Sequence, residues 1–290
     1  LFEIFNFIIF TSLNNSAFCE TKVRTLDGHF QPGCVGMGHS KGERLLASAQ
    51  PPAVPELPVA LRVERRICFD VTQLKLREKA MELLEKASDI GSFKAGGCGC
   101  LEEYEAQPAI FRSFALRSEL HRLVTSNVAF LEVYEELLLT VLLPWLKDLL
   151  LEVGAIEAAT GSIRFSYQYP PTLRVQPGRS QEFKRPHRDA EYGHQTGELN
   201  CWMPLTDHKR TQTTLWIESQ PDRGDYKPLD ITYGEIGIFH GTLCRHHVPM
   251  NTSDFTRVSM DFRIGLGDYF DPDWQLEGVK HVHGRKEVWL

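Results

Sequence analysis

Hydrophobic spacing divides the chain into two textures. In residues 61–160 the period is helical. Ala80, Leu83, Leu84, Ala87 and Ile90 recur three or four apart; Asp70 and Gln73 make a capping box before them, and Gly91 ends the run. Two further helices are expected near 107–125 and 128–152. The second carries Leu131, Tyr134, Leu138, Leu142, Trp145 and Leu149 on one stripe, a pattern of packing against a sheet. At Gly161 the period changes to two. Ile163, Phe165, Tyr167 and Tyr169 alternate with polar residues, and 214–217, 236–239, 258–264 and the segment around Leu199 supply more short strands. Helices followed by an all-β block predict an α+β domain, with a sandwich or jelly-roll core over 161–266 buttressed by the helical region. Residues 1–60 read as a poorly structured leader, because 21–60 are rich in Gly, Pro and Ser and the prolines of QPPAVPELP disfavour a helix. Residues 267–290 read as an irregular, polar C-terminal tail.

Composition narrows the function classes. The 290 residues are 42% hydrophobic, enough for a sizeable core, and the formal charge is −6, which argues against a general nucleic-acid binder. The apolar start LFEIFNFIIFTSL is either a targeting remnant or, the favoured reading, a hydrophobic strand or short helix or a mispredicted start. It is shorter than the about 20 residues of a membrane span, and the leucine run at 137–146 is interrupted by Pro144 and flanked by charges. No stable membrane insertion is expected. Seven cysteines, an odd number without framework spacing, read as reduced thiols in a cytoplasmic protein. Cys98-Gly-Cys100 is too isolated for a zinc knuckle. The pattern sets no oligomeric state.

The chemistry-bearing residues lie in the β-rich half. In Pro186-His187-Arg188-Asp189 the histidine and aspartate are two apart, so on an extended segment both face one side. An imidazole and a carboxylate completed by a distant histidine form the facial set that holds Fe(II) and leaves coordination positions open. Alone, His-X-Asp is a weak signal. Downstream, HGTLCRHHVPM offers His240, His246 and His247 as the third ligand. On the next strand Arg257, Ser259, Asp261 and Arg263 share a polar face, and Val258, Met260, Phe262 and Ile264 an apolar one. A guanidinium with a hydroxyl two residues on is suited to gripping a carboxylate.

The order His-X-Asp, His, Arg-X-Ser resembles the 2-oxoglutarate/Fe(II)-dependent oxygenase superfamily. HRDAEYGHQTGELNCWMPLT (187–206), TTLWIES (213–219) and NTSDFTRVSMDFR (251–263) look like its streptomycin-biosynthesis-protein branch. The resemblance covers about 160–266. It implies a double-stranded β-helix, Fe(II) held by His187, Asp189 and a distal histidine, 2-oxoglutarate and O2 as co-substrates, and succinate and CO2 as co-products. His246 and His247 stand eleven and ten residues before Arg257, the family's usual spacing; His246, in a Cys-X-His arrangement, is preferred. Arg257 and Ser259, with Thr214 from the opposing strand, are expected to hold 2-oxoglutarate. Asp189 argues for hydroxylation, or a related desaturation or cyclisation, rather than halogenation, which replaces that carboxylate with a small residue. Glu191, Tyr192, His194, Glu198, Asn200 and Arg263 are the expected substrate contacts and suggest a small polar metabolite. The basic run 174–188 reads chiefly as a solvated charge run, and His281-X-His283 as a surface feature. Two rivals remain: a zinc or other divalent-metal hydrolase on the same ligands, and a non-catalytic jelly-roll binding protein.

Overall fold

The computed structural model describes residues 54–157, 162–181, 183–274 and 283–290, so most of the expected leader lies outside the described residues. Strand β1 (Arg65–Cys68) comes first and helix α1 (Leu76–Glu85) follows. The helix starts later than the capping box predicts. Asp70 instead closes a local turn, its Oδ1 accepting from the Thr72 amide and hydroxyl at 2.8 and 2.6 Å. A small hairpin, β2 (Gly91–Phe93) and β3 (Tyr104–Ala106), brackets the loop that contains Cys98 and Cys100.

Helices α2 (Phe114–Ser126) and α3 (Val128–Leu137) are separated by Asn127, whose side chain caps α3 by accepting from the Phe130 amide. A π-helical turn at Leu138–Leu142 links α3 to α4 (Leu143–Glu152). Pro144 sits in the first turn of α4, where its missing amide hydrogen costs least, directly after the π turn. The leucine stripe faces inward as its period predicts: Leu131, Leu138, Leu142 and Leu149 are buried in one core with the sheet.

The main sheet is antiparallel and seven-stranded. Its path is β1, β9 (Glu235–Phe239), β6 (Glu198–Pro204), β11 (Arg257–Leu266), β4 (Arg164–Gln168), β12 (Arg285–Trp289), with β5 (Thr172–Gln176) also on β11. β11 is its spine, pairing β6 on one side and β5 then β4 on the other. Its apolar face meets the helices: Phe262 packs edge-on to Tyr134, ring centroids 5.2 Å apart. The tail, expected to be irregular, supplies β12. Arg285, Lys286 and Glu287 place charge on an edge strand, which hides it from a hydrophobicity reading.

A second sheet holds β7 (Trp216–Ile217), β8 (Lys227–Pro228) and β10 (His246–His247). Trp202 and Phe239 of the large sheet share an apolar cluster with Leu215, Ile217, Leu229 and Cys244. The molecule is therefore α+β, with helices behind the large antiparallel sheet and a smaller sheet before it.

Candidate metal centre

His187 lies outside the named strands and pairs with His246 of β10 through reciprocal backbone hydrogen bonds of 3.2 and 2.9 Å. The two rings stand 4.6 Å apart between centroids. Asp189 opens the short 3-10 turn after His187, its amide donating to Gly241 O at 2.9 Å. Asp189 Oδ1 lies 3.9 Å from His187 Nε2 and 3.6 Å from His246 Nε2. These three donors form a metal-sized cluster.

The hydrogen-bond pattern assigns each donor atom. His187 Nδ1 is 2.9 Å from Arg185 O and His246 Nδ1 is 3.2 Å from Cys244 O. A carbonyl only accepts, so both Nδ1 atoms carry the proton and both Nε2 lone pairs face inward. Burial and the neighbouring His246 hold His187 down at about 4, so it is neutral near pH 7. For Asp189, burial favours the neutral acid but is outweighed by Arg263 and His246, which hold the carboxylate well below its ordinary range. Asp189 Oδ2 accepts from Arg263 Nε at 2.7 Å and from Asn200 Nδ2 at 2.6 Å, leaving Oδ1 toward the histidines.

Adjacent residues on an extended segment point to opposite sides, which separates the competing histidines. His247 sits between Trp216 and Tyr226, with ring centroids 6.2 and 4.9 Å away. His240 Nε2 bonds Thr196 O at 2.8 Å. His246 is the one that joins Asp189.

Arg257 is buried. Its Nε donates to Gln176 Oε1 at 2.9 Å and its Nη1 to Ser259 Oγ at 3.0 Å. Both partners are neutral, and among the described residues Arg257 enters no ion pair. Burial and the nearby Arg174 push it down to about 10. Arg174 itself is bonded through Nε to Asp261 at 2.6 Å.

The other expected contacts disperse. Arg263 and Asn200 brace Asp189, and Arg263 also donates to Gln168 Oε1 at 3.1 Å. His194 Nδ1 meets Glu198 Oε2 at 3.0 Å, both buried, and Arg285 Nη2 holds Glu198 Oε1 at 2.7 Å. Tyr192 stands edge-on to His187 at 5.4 Å. Glu191 is exposed and turns outward to Arg185 and the Arg188 amide. Thr214 Oγ1 donates to Leu229 O at 2.9 Å.

Two residues outside the expected set also lie here. Arg174 of the basic run lies on the inner side beside Ser259, since the run begins inside a strand and the alternation places that residue inward. His283 is not a surface feature: its ring stacks on His194 at 5.9 Å, and burial and Arg263 hold it at about 3. His281 lies outside the described residues. The signal for His283 was β12 immediately after it, which ties that segment to the sheet.

No family model matches the chain. It is 36% identical over 103 residues to the streptomycin biosynthesis protein StrG of Streptomyces griseus, a match covering 36% of this chain and 48% of that protein. The chain thus spans about half the length of that curated relative. The match agrees with the resemblance carried by the motifs. Among solved structures, the chain is similar to SnoN, a non-haem alpha-ketoglutarate-dependent epimerase of nogalamycin biosynthesis (14% identity, 77% of this chain and 81% of that one, TM-score 0.39). It is also similar to the carbocyclase SnoK (15%, 71% and 80%, TM-score 0.38) and to a Pseudomonas putida prolyl-4-hydroxylase (13%, 74% and 99%, TM-score 0.37). No helix among the described residues is long and apolar enough to cross a membrane.

Proposed function

We propose that the chain is an Fe(II)- and 2-oxoglutarate-dependent oxygenase on a jelly-roll, double-stranded β-helix core, hydroxylating an aliphatic C–H of a small polar metabolite. One observation carries the reading: a two-histidine, one-carboxylate cluster is reached by Arg263 from the same face of β11 that carries buried Arg257, whose hydrogen bonds among the described residues go to neutral groups. A buried guanidinium that is hydrogen-bonded to neutral groups and makes no direct ion pair favours an incoming anion. The distal carboxylate of 2-oxoglutarate has the charge and the forked shape for Arg257 and Ser259.

The residues fit the metal as well. Both Nε2 atoms and Asp189 Oδ1 are free toward one point, and three donors of this kind suit Fe(II) with open positions. When bound, iron with 2-oxoglutarate supplies O2 activation coupled to decarboxylation, releasing succinate and CO2. The protein's part is orientation. Arg185 O and Cys244 O fix the imidazole tautomers, Arg263 and Asn200 hold the carboxylate rotamer, and Gln176 aims Arg257. Tyr192, edge-on to His187, and the bonded pair His194 and Glu198 are the proposed substrate contacts.

Anaerobic titration with Fe(II) and 2-oxoglutarate, followed by the visible absorption of the chelate, tests the reading. Wild type should develop the band, H187A should lose it, and R257A should need roughly 30-fold more 2-oxoglutarate, the loss of about 2 kcal/mol of charge-assisted bonding. Tight zinc with no band would instead favour a divalent-metal hydrolase.

A further inference from the structure

We propose that Cys98 and Cys100 form a reversible dithiol–disulfide couple, a redox modification site on the loop that braces the strand carrying Arg257. The two Sγ atoms already stand 2.8 Å apart. Gly99 between them is left-handed, at φ +69°, and turns the flanking residues so that both thiols meet on one side. An S–S bond of about 2.05 Å then needs only a small approach.

The surroundings give the two thiols different roles. Arg210 Nη1 donates to Cys100 Sγ at 3.3 Å and stacks over the Phe255 ring at 4.4 Å, which fixes a positive charge beside that sulfur and in place to steady an attacking nucleophile. Cys98 is exposed, and hydrogen bonds to Cys100 and Glu103 push it up to about 11. Cys100 is thus the attacking sulfur and Cys98 the resolving one. With a low-molecular-weight disulfide such as glutathione disulfide, Cys100 attacks one sulfur and the first glutathione leaves as a thiolate. Cys98 then gives up its proton, attacks Cys100 in the mixed disulfide and expels the second glutathione. Two protein thiols are oxidised and one glutathione disulfide is reduced to two thiols.

A metal is the competing use, since Glu103 brings a third donor to the pair. The Arg210 guanidinium on Cys100, also 4.0 Å from Glu103, sets a positive charge against any cation there. The loop is tied to the proposed co-substrate strand: Glu102 O accepts from the Thr256 amide at 2.9 Å, and the Thr256 hydroxyl donates to Tyr104 O. Arg257 is the next residue.

The full chain lends itself to a clean test. Cleavage after Lys94 and Arg112 yields one peptide, 95–112, that contains these two cysteines and no others. The protein is equilibrated across glutathione redox buffers, quenched with N-ethylmaleimide, digested and weighed. Peptide 95–112 should lose both labels together as the buffer becomes oxidising and regain both with dithiothreitol. C98S should trap one glutathione on Cys100, and R210A should slow label loss several-fold. Two labels retained in oxidised glutathione, a stable single glutathione adduct in wild type, or labelling that appears only after a chelator removes added zinc would each overturn the proposal.

Discussion

Gly241 shows how tightly single residues constrain the metal centre. A Cβ there would lie 2.6 Å from Asn200 Cγ, and Asn200 is one of the two donors on Asp189 Oδ2. Gly241 also accepts the Asp189 amide. G241A should fold yet bind divalent metal 10- to 100-fold more weakly, the usual cost of losing a group that orients a ligand, measured by metal titration. Glu198 makes a pH prediction. Burial favours its neutral acid, but Arg285 and His194 outweigh it and hold the group at about 2, against an ordinary 4.5. A depressed carboxylate contributes stability that is complete above the unfolded pKa and lost as pH falls toward the folded one. Stability should therefore drop between about pH 4.5 and 2. E198Q should flatten that acid transition and cost about 3 kcal/mol at pH 7 by leaving Arg285 without its partner; urea titrations at several pH values would read both effects.

At the scale of elements, β11 has two faces with separate duties. Phe262 is fully buried against Tyr134, so F262A should cost about 4 kcal/mol in urea unfolding. The alternation that separates these faces was legible in the sequence, as were β4, β6 and β9, because each places apolar residues in a short run that the sheet buries. So was the pairing of His187 with Asp189, which needs only the strand period. Less legible were β1 and β5, with charged residues in their short runs, and β12, whose Arg285-Lys286-Glu287 start looks solvent-bound until Glu198 is seen opposite. The N-cap at Asp70 misled for a related reason. An aspartate that accepts from residue i+2 serves a free turn as well as a helix start, and tertiary packing decides between them. The third histidine could be narrowed but not fixed by spacing, since one residue of register separates His246 from His247.

Across the whole molecule, the last strand closes the sheet beyond β4 and carries the cation that neutralises Glu198. Removing 285–290 should leave unpaired the edge of β4 that faces away from β11, and a buried carboxylate without its strongest partner. The shortened chain should aggregate on mild warming while wild type stays clear, as light scattering would report.

The reciprocal backbone bonds between His187 and His246 also have a consequence in time. Donors brought together by strand register, from segments far apart in the chain, do not exist as a site in a half-folded molecule. Divalent metal offered during refolding should leave the folding rate unchanged and slow unfolding, because the ion recognises an arrangement completed only after the rate-limiting step. Newly made chains would then reach the folded state at a pace independent of metal supply, and scarcity would be felt in how long they last.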